Sequence, residues 1–444
     1  MLLGWRRTVA KLQGDAPASP VPSVPAQRIE VPTVPQPYTL TVIPDRHLNH
    51  VPGFRAQGVW AQIKKKSRDV CLIVSDRPSK GAAVFTQNAF CAAPVVVSRE
   101  HVENGDIRAI VCNAGNANAV TGEQGMADAR AMAAHAAKAL SLQADQFIVC
   151  STGIIGRPLP LDKVKHGIDE CARTLLRAEG GEAAEAITTT DSHPKHVFVQ
   201  VTVGGREFHI AGIAKGAGMI HPNMATMLSF LVTDAPFNAT FLQAQLKQAV
   251  DATFNMITID GDQSTNDTCA IIANGAAGGP NLRKGSAEAE AFQAGLQLAC
   301  KTLAKHIAGD GEGATALLEV RVEGANTLAD ARTIARAVTK SSLVKSALHG
   351  KDPNWGRIVA AVGACGAQVD PGKVSVRFES SHGSVPVMTS GEPLGGASLK
   401  EANAVLQASE VRILVQLGMG PYAAEAWGCD LSEEYVTFNS AYTT

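Results

Sequence analysis

Residues 215–232 read K-G-A-G-M-I-H-P-N-M-A-T-M-L-S-F-L-V, and one hydroxyl, that of Thr226, stands at the mouth of the apolar run Met227–Val232. Such a run would bury as a core strand. Gly216, Gly218 and Pro222 make the preceding half a turn, because glycines permit dihedrals that a side chain forbids and proline removes a donor. A hydroxyl between a turn and a buried strand is well placed for a nucleophile, yet the same spacing suits an ordinary β-branched strand residue. An alkyl hydroxyl also needs an activating base. His221 is nearby, but its spacing carries no known mechanism. A cut before Thr226 would free an α-amine of pKa about 8, suited to general-base work on the adjacent hydroxyl.

Other stretches carry groups that could serve the same chemistry. In V-C-S-T-G-I-I-G (149–156) a strand is expected to end at Cys150, and Ser151-Thr152-Gly153 then forms a turn with a hydroxyl and an unhindered N–H. Acyl transfer builds negative charge on a carbonyl oxygen, and donors aimed there are worth several kcal/mol. In A-G-D-G-E-G-A-T (308–315) Glu312 sits between two glycines, a costly arrangement unless a backbone must come close. The run N-A-G-N-A-N (113–118) contains neither GxGxxG nor a P-loop. Its asparagines compete with backbone hydrogen bonds and are read as building the wall of the site. The acids Asp260, Asp262 and Asp267 resemble an ion-binding loop, but Thr265 and Ile271 stand where a calcium loop needs Gly and Glu. They are read as structural or as supporting the site.

The elements that would position these groups follow from periodicity. Val70–Val74 reads as a buried strand, Val197, Val199, Val201 and Val203 as an alternating one, and Leu317–Val322 as another. The stretch G-A-A-V-F-T-Q-N-A-F-C-A-A-P-V-V-V-S-R-E-H (81–101) reads as short strands. Helices are expected over Ala127–Leu140, Asp162–Arg177, Ser286–Ile307 and about 329–347. Val374, Val376 and Phe378, with Ile413, Val415 and Leu417, place two half-buried strands in the last third.

The whole chain has 444 residues, 18% charged and 45% apolar, enough for two or three domains with real cores. Its 40 Lys and Arg nearly cancel its 41 Asp and Glu, and no basic patch has interleaved aromatics, so nucleic acid is not expected as a partner. No run of 18 apolar residues suggests a spanning helix. Nine scattered cysteines without a CxxC pair read as buried thiols, not as a disulfide framework or metal site. Residues 1–50 differ in character: Met1–Gly14 is basic and free of acids, and Pro17–Pro37 is Pro-rich. They read as a disordered extension of a cytoplasmic protein, or as a mitochondrial or plastid transit segment.

The segment A-K-G-A-G-M-I-H-P-N-M-A-T-M-L-S-F (214–230) resembles the self-cleavage and nucleophile motif of the ornithine acetyltransferase (glutamate N-acetyltransferase) family of arginine biosynthesis. The resemblance runs from Gly53 to the C-terminus and includes G-K-D-P-N-W-G-R (350–357). It implies a cut between Ala225 and Thr226, with Thr226 as nucleophile and Thr152 and Gly153 as oxyanion donors. It further implies substrate contacts from Thr189, Lys215, Thr226, Glu312, Asn439 and Thr444. A lysine to hold a carboxylate and a glutamate to hold an ammonium suit amino-acid substrates. Ser440-Ala441 departs from the usual family ending.

By the same resemblance the fold is α/β (α+β), a layered αββα sandwich with a smaller C-terminal α/β domain. The implied divisions are an extension over 1–50, an α chain over 51–225 and a β chain over 226–444, with the C-terminal domain from about 320. Acetyl would pass from N2-acetyl-L-ornithine to L-glutamate by a ping-pong route, without a cofactor and with acetyl-CoA as a further possible donor. Two α and two β chains would assemble as a heterotetramer. An N-terminal-nucleophile amidase or aminopeptidase, which gives the acyl group to water, is the rival reading.

Overall fold

The computed structural model describes residues 37–221 and 227–441. Ala225, Thr226, Thr444 and residues 1–36 lie outside the described residues. The order begins β1 (Tyr38–Val42), β2 (Phe54–Val59), β3 (Val70–Ser75), β4 (Lys80–Phe85), α1 (Ala93–Val102), β5 (Ala109–Asn116) and α2 (Gly122–Leu140). Next come β6 (Phe147–Ile154), α3 (Leu161–Thr174), α4 (Glu182–Ala186), β7 (Lys195–Val203), β8 (Arg206–Lys215) and β9 (Leu228–Thr233). After these stand α5 (Ala239–Ala252), β10 (Thr268–Ala273), α6 (Ala287–Gly309), β11 (Leu317–Ala325), α7 (Leu328–Lys340), α8 (Ser342–His349) and α9 (Trp355–Ala364). The last elements are β12 (Ser375–Ser380), β13 (Gly383–Thr389), β14 (Glu392–Pro393), α10 (Gly396–Val405), β15 (Glu410–Gln416), β16 (Tyr422–Cys429) and α11 (Glu433–Ala441).

Strand alternation builds the layers. In β3, Val70, Leu72 and Val74 face outward and meet Ala129, Met132 and Ala133 of α2 and Val164, Ile168 and Cys171 of α3. The intervening Cys71 and Ile73 face the other way, onto Phe198, Ile213, Phe230 and Ile272 of a second sheet. That second sheet turns Val199, Ile210, Leu231 and Ile271 toward Leu242 and Leu246 of α5 and Phe292 and Leu296 of α6. Helices, sheet, sheet, helices is therefore the order of layers. Strands covered on both faces read as continuous apolar runs, which is the pattern of Leu228–Thr233, buried throughout.

The first sheet has the order β2-β3-β5-β6 and the second β1-β7-β8-β9-β10-β4. β9 is central: antiparallel to β8, with Lys215 opposite Leu228, and parallel to β10, with Thr268 opposite Leu228. A third sheet, β14-β13-β12-β15-β11-β16, carries Leu318, Val320, Ile413 and Val415 into the core that also contains the inner faces of α5 and α6. No described helix is long and apolar enough to cross a membrane.

Several sequence expectations need correction. Residues 93–102 are a helix, not a strand, because Pro94 stands in its first turn, where the missing N–H costs nothing. The segment read as an extension over 1–50 enters the fold at β1, which pairs with β7 from Tyr38–Val203 to Val42–Val199. The helical stretch near 329–347 is two helices. Ser341 ends the first in an extended conformation, and its side chain caps the second by accepting from Val344 N–H.

Candidate active site

Three strand ends meet at one cavity of about 360 Å³, lined by Thr152, Gly153, Thr189, Lys215, Glu312 and Asn439 together. Lys215 is the last residue of β8. Thr268 opens β10 and donates its N–H to the Met227 carbonyl at 2.9 Å, and Met227, the residue after Thr226 in the chain, also lines the cavity. Thr152 and Gly153 come from the end of β6 in the neighbouring sheet.

Gly153 is fixed by a close approach of backbone. Its φ is +132°, and a Cβ there would stand 2.4 Å from the Gly115 carbonyl carbon. Parallel β5 and β6 are out of step here, so that Asn116 faces both Thr152 and Ile154. The asparagine-rich loop holds this geometry. Ser151 Oγ donates to Asn113 Oδ1 at 2.6 Å, Asn113 Nδ2 donates to the Asn116 carbonyl at 2.9 Å, and Asn118 Nδ2 donates to the Gly125 carbonyl at 2.9 Å. Asn113, Asn116 and Asn118 are not among the lining residues and spend their amides on backbone, so they brace the site instead of forming its wall. Asn266 does line the cavity, and its amide joins the two sheets by donating to the Ala117 and Ser151 carbonyls at 2.6 and 2.9 Å.

Behind Thr189 and Lys215 lies a buried ionic cluster. Asp191 accepts from Lys195 Nζ at 2.6 Å, from Gly216 N–H at 2.6 Å and from Thr189 N–H at 3.0 Å. Lys195 also reaches Asp310 Oδ2 at 2.5 Å. Burial alone would raise the Asp191 carboxyl, but the Lys195 and Lys215 charges and its hydrogen bonds hold it well below the usual carboxylate range. One carboxylate thus ties the Thr189 loop to the glycine turn that follows Lys215.

Part of the lining is acidic. Glu312 is anchored through its N–H to the Ala217 carbonyl at 2.9 Å, and its Oε2 accepts from Asn439 Nδ2 at 2.8 Å. Helix α11 places Tyr435 and Asn439 one turn apart, on one face, and both line the cavity. Asp260 accepts from Met219 and Ile220 N–H at 2.5 and 2.9 Å, fixing the turn after Gly218. Burial, then the Asp260 and Glu312 charges, and a hydrogen bond with Asp260 push the Tyr435 phenol up. The cavity therefore combines the cation of Lys215 with the carboxylates of Glu312 and Asp260, and hydroxyl and N–H donors line it as well. That combination suits a zwitterion.

Thr226, Ala225 and Thr444 are the site residues expected from sequence that fall outside the described residues. Sequence reasoning gave no place to Tyr435 and none to Asp191, which lies two residues past Thr189. The i, i+4 spacing of Tyr435 and Asn439 near the C-terminus was the signal available for the first. His221 is braced, not poised. Its Nδ1 and Thr258 Oγ1 are 3.0 Å apart, and Arg336, a donor, is 3.0 Å from its Nε2. Burial, Arg336 and Lys340 bring its pKa down to about 4, so the ring is neutral with the Nε2 lone pair engaged. Among the described residues no cluster of His, Cys, Asp and Glu is arranged to hold a metal ion.

The ArgJ family model matches residues 55–444. The chain is 49% identical over 395 residues to the arginine biosynthesis bifunctional protein ArgJ of Symbiobacterium thermophilum, covering 88% of this chain and 97% of that one. It is 46% identical over 396 residues to the protein of that name from Geobacter sulfurreducens, covering 89% and 100%. Among solved structures, ArgJ of Bacillus halodurans is 40% identical over 47% of this chain and 96% of its own, with a TM-score of 0.45. The Mycobacterium tuberculosis ornithine acetyltransferase complexed with ornithine is 37% identical over 43% and 100%, with a TM-score of 0.39. With a family match over nearly its whole length and curated relatives matched end to end, the chain belongs to the ArgJ, or ornithine acetyltransferase, family of enzymes.

Proposed function

We propose that this chain cuts itself between Ala225 and Thr226 and then transfers acetyl from N2-acetyl-L-ornithine to L-glutamate through an ester on Thr226. The observation that carries the reading is the meeting, in one cavity, of Thr152 and Gly153 with Lys215 and the Glu312–Asn439 pair. The residue following Thr226 lines the same cavity.

In this mechanism the Thr226 α-amine takes the hydroxyl proton while Oγ attacks the acetyl carbonyl. The tetrahedral oxyanion is held by the Thr152 hydroxyl and the Gly153 N–H, the latter on a backbone set before reaction by the β5–β6 irregularity, so little reorganisation of that donor is spent on stabilising it. Lys215 holds the substrate carboxylate and Glu312 the ornithine side-chain ammonium. Ornithine leaves, and the glutamate amine removes the acetyl group. Ping-pong kinetics follow. The curated relatives carry the name bifunctional protein of arginine biosynthesis, which supports testing acetyl-CoA as a second donor. The two chains produced by the cut stay associated, and two such pairs form the assembly.

Mixing processed protein with acetylornithine should add one acetyl mass to the 226–444 fragment, and glutamate should then discharge it as N-acetylglutamate. Release of acetate, with no acetylglutamate, would favour an amidase of the N-terminal-nucleophile type. Absence of any acyl fragment with either donor would rule the mechanism out.

A further inference from the structure

Asp267 lines the cavity, yet it is only 2% exposed, and its Oδ2 has no hydrogen-bond partner among the described residues. Its place is fixed by the backbone on both sides: its carbonyl accepts from Thr86 N–H at 3.0 Å, and the next residue bonds the Met227 carbonyl. A buried acceptor left open is costly, and it is tolerated where it has work to do. Of the other carboxylates that line the cavity, Asp260 is engaged by backbone N–H groups and Glu312 by Asn439. Lys215 is the charged group that acts on Asp267, and Ser264 supplies its hydrogen bond.

The proposed ping-pong reaction, on which this inference rests, leaves one proton unaccounted for in each half. When the donor's C–N bond breaks and the Thr226 ester forms, the hydroxyl proton passes to the leaving nitrogen and yields a neutral amine. One more proton is needed for that amine to depart as the ammonium that is stable near neutral pH. In the second half the incoming ammonium loses two protons. One returns to the Thr226 oxygen and the other must be accepted elsewhere. The two surpluses cancel over a full cycle.

We propose that Asp267 holds this proton between the half-reactions, giving it to the leaving amine as a carboxylic acid and taking it from the incoming ammonium as a carboxylate. After the first transfer the carboxylate faces Lys215, which offsets its charge. Burial pushes the Asp267 carboxyl well up, against the Ser264 hydrogen bond and the Lys215 charge, a shift toward the acid form that the first half-reaction needs. The other ionisable groups lining the cavity are Lys215, Asp260, Asp262, Glu312 and Tyr435.

The half-reactions can be timed separately by rapid quench across pH, reading acetyl on the 226–444 fragment by mass. In wild type, acetylation by acetylornithine should slow as pH rises through the Asp267 pKa, while discharge by glutamate should quicken through that same value. In Asp267→Asn, which keeps the shape, both limbs should vanish, with each step slowed on the order of 100-fold, as for loss of a general acid or base. A falling limb due to any other group would survive in the variant. Wild-type profiles without opposed limbs, or an Asp267→Asn variant that keeps them at rates within about twofold, would overturn the proposal while leaving the acyl-threonine route standing. Wild-type profiles without opposed limbs overturn the proposal whether or not the variant folds; should Asp267→Asn not fold, Asp267→Glu, which keeps a carboxyl on a longer arm, should keep both limbs with their common midpoint displaced, and an unmoved midpoint would overturn the proposal. If no acetyl fragment forms in wild type, both this proposal and the route fail.

Discussion

The Glu312 carboxylate packs directly on the α-carbon of Gly218: a Cβ at residue 218 would stand 2.5 Å from one carboxylate oxygen and 2.6 Å from the other. The glycine turn after Lys215 and the glycine-flanked Glu312 are thus two halves of one contact, and each motif explains the other's small residues.

Gly218→Ala should therefore move the Glu312 side chain without unfolding the protein, since the clash is with the far end of a flexible side chain. Losing a hydrogen bond to a charged group costs ~1.5–3 kcal/mol, so KM for acetylornithine should rise on the order of 10- to 100-fold at an unchanged melting temperature. Gly153→Ala meets backbone instead, at a positive φ, and should lower stability by ~1–3 kcal/mol in urea unfolding. Equal effects of the two substitutions on stability would contradict these assignments.

Self-cleavage should yield fragments 1–225 and 226–444 from the 46.3 kDa chain. Intact-mass measurement reads this directly. Thr226→Ala should remain a single species, and a split at the same bond in that variant would remove Thr226 from the processing step.

Thr152→Ala should slow acetyl transfer by roughly 100-fold or more with the fold intact, the usual loss for one oxyanion donor of about 3 kcal/mol. Stopped-flow turnover on the processed variant checks it. Near-wild-type turnover would leave the Gly153 N–H without its proposed companion.

The Asp191 cluster should make stability depend on acid. Because the folded Asp191 pKa is depressed, its contribution is complete above the unfolded value of about 4 and is lost as pH falls below it. Asp191→Ala leaves Lys195 with Asp310 and frees the Thr189 and Gly216 N–H groups, at a cost of about 3–5 kcal/mol near neutral pH. The difference from wild type should shrink when unfolding is measured progressively below pH 4. A gap that stays constant with pH would show that packing, not charge, sets the loss.

Much of this was open to reading from the chain itself. Apolar runs buried on both faces gave β3 and β9 away, and the Ala-rich and periodic stretches gave α2, α3 and α6, because those patterns depend only on local spacing. The residues 93–102 misled because Val-rich runs fit strand or helix alike, and only packing against the β6 side, with Ser98 Oγ donating to the Val149 carbonyl at 2.7 Å, decides between them. Residue types and the motif resemblance brought out Thr152, Gly153, Thr189, Lys215, Glu312 and Asn439 as site candidates, but their nearness to one another is not written in any short window. Three strand ends and the C-terminal helix have to be folded together before Asn439 can reach Glu312, or Asn266 the Ser151 carbonyl. The bracing of the site by Asp191, and the open oxygen of Asp267, arise from long-range burial. Burial sets both the charge state and the hydrogen-bond vacancy of a carboxyl, so those properties belong to the tertiary structure alone.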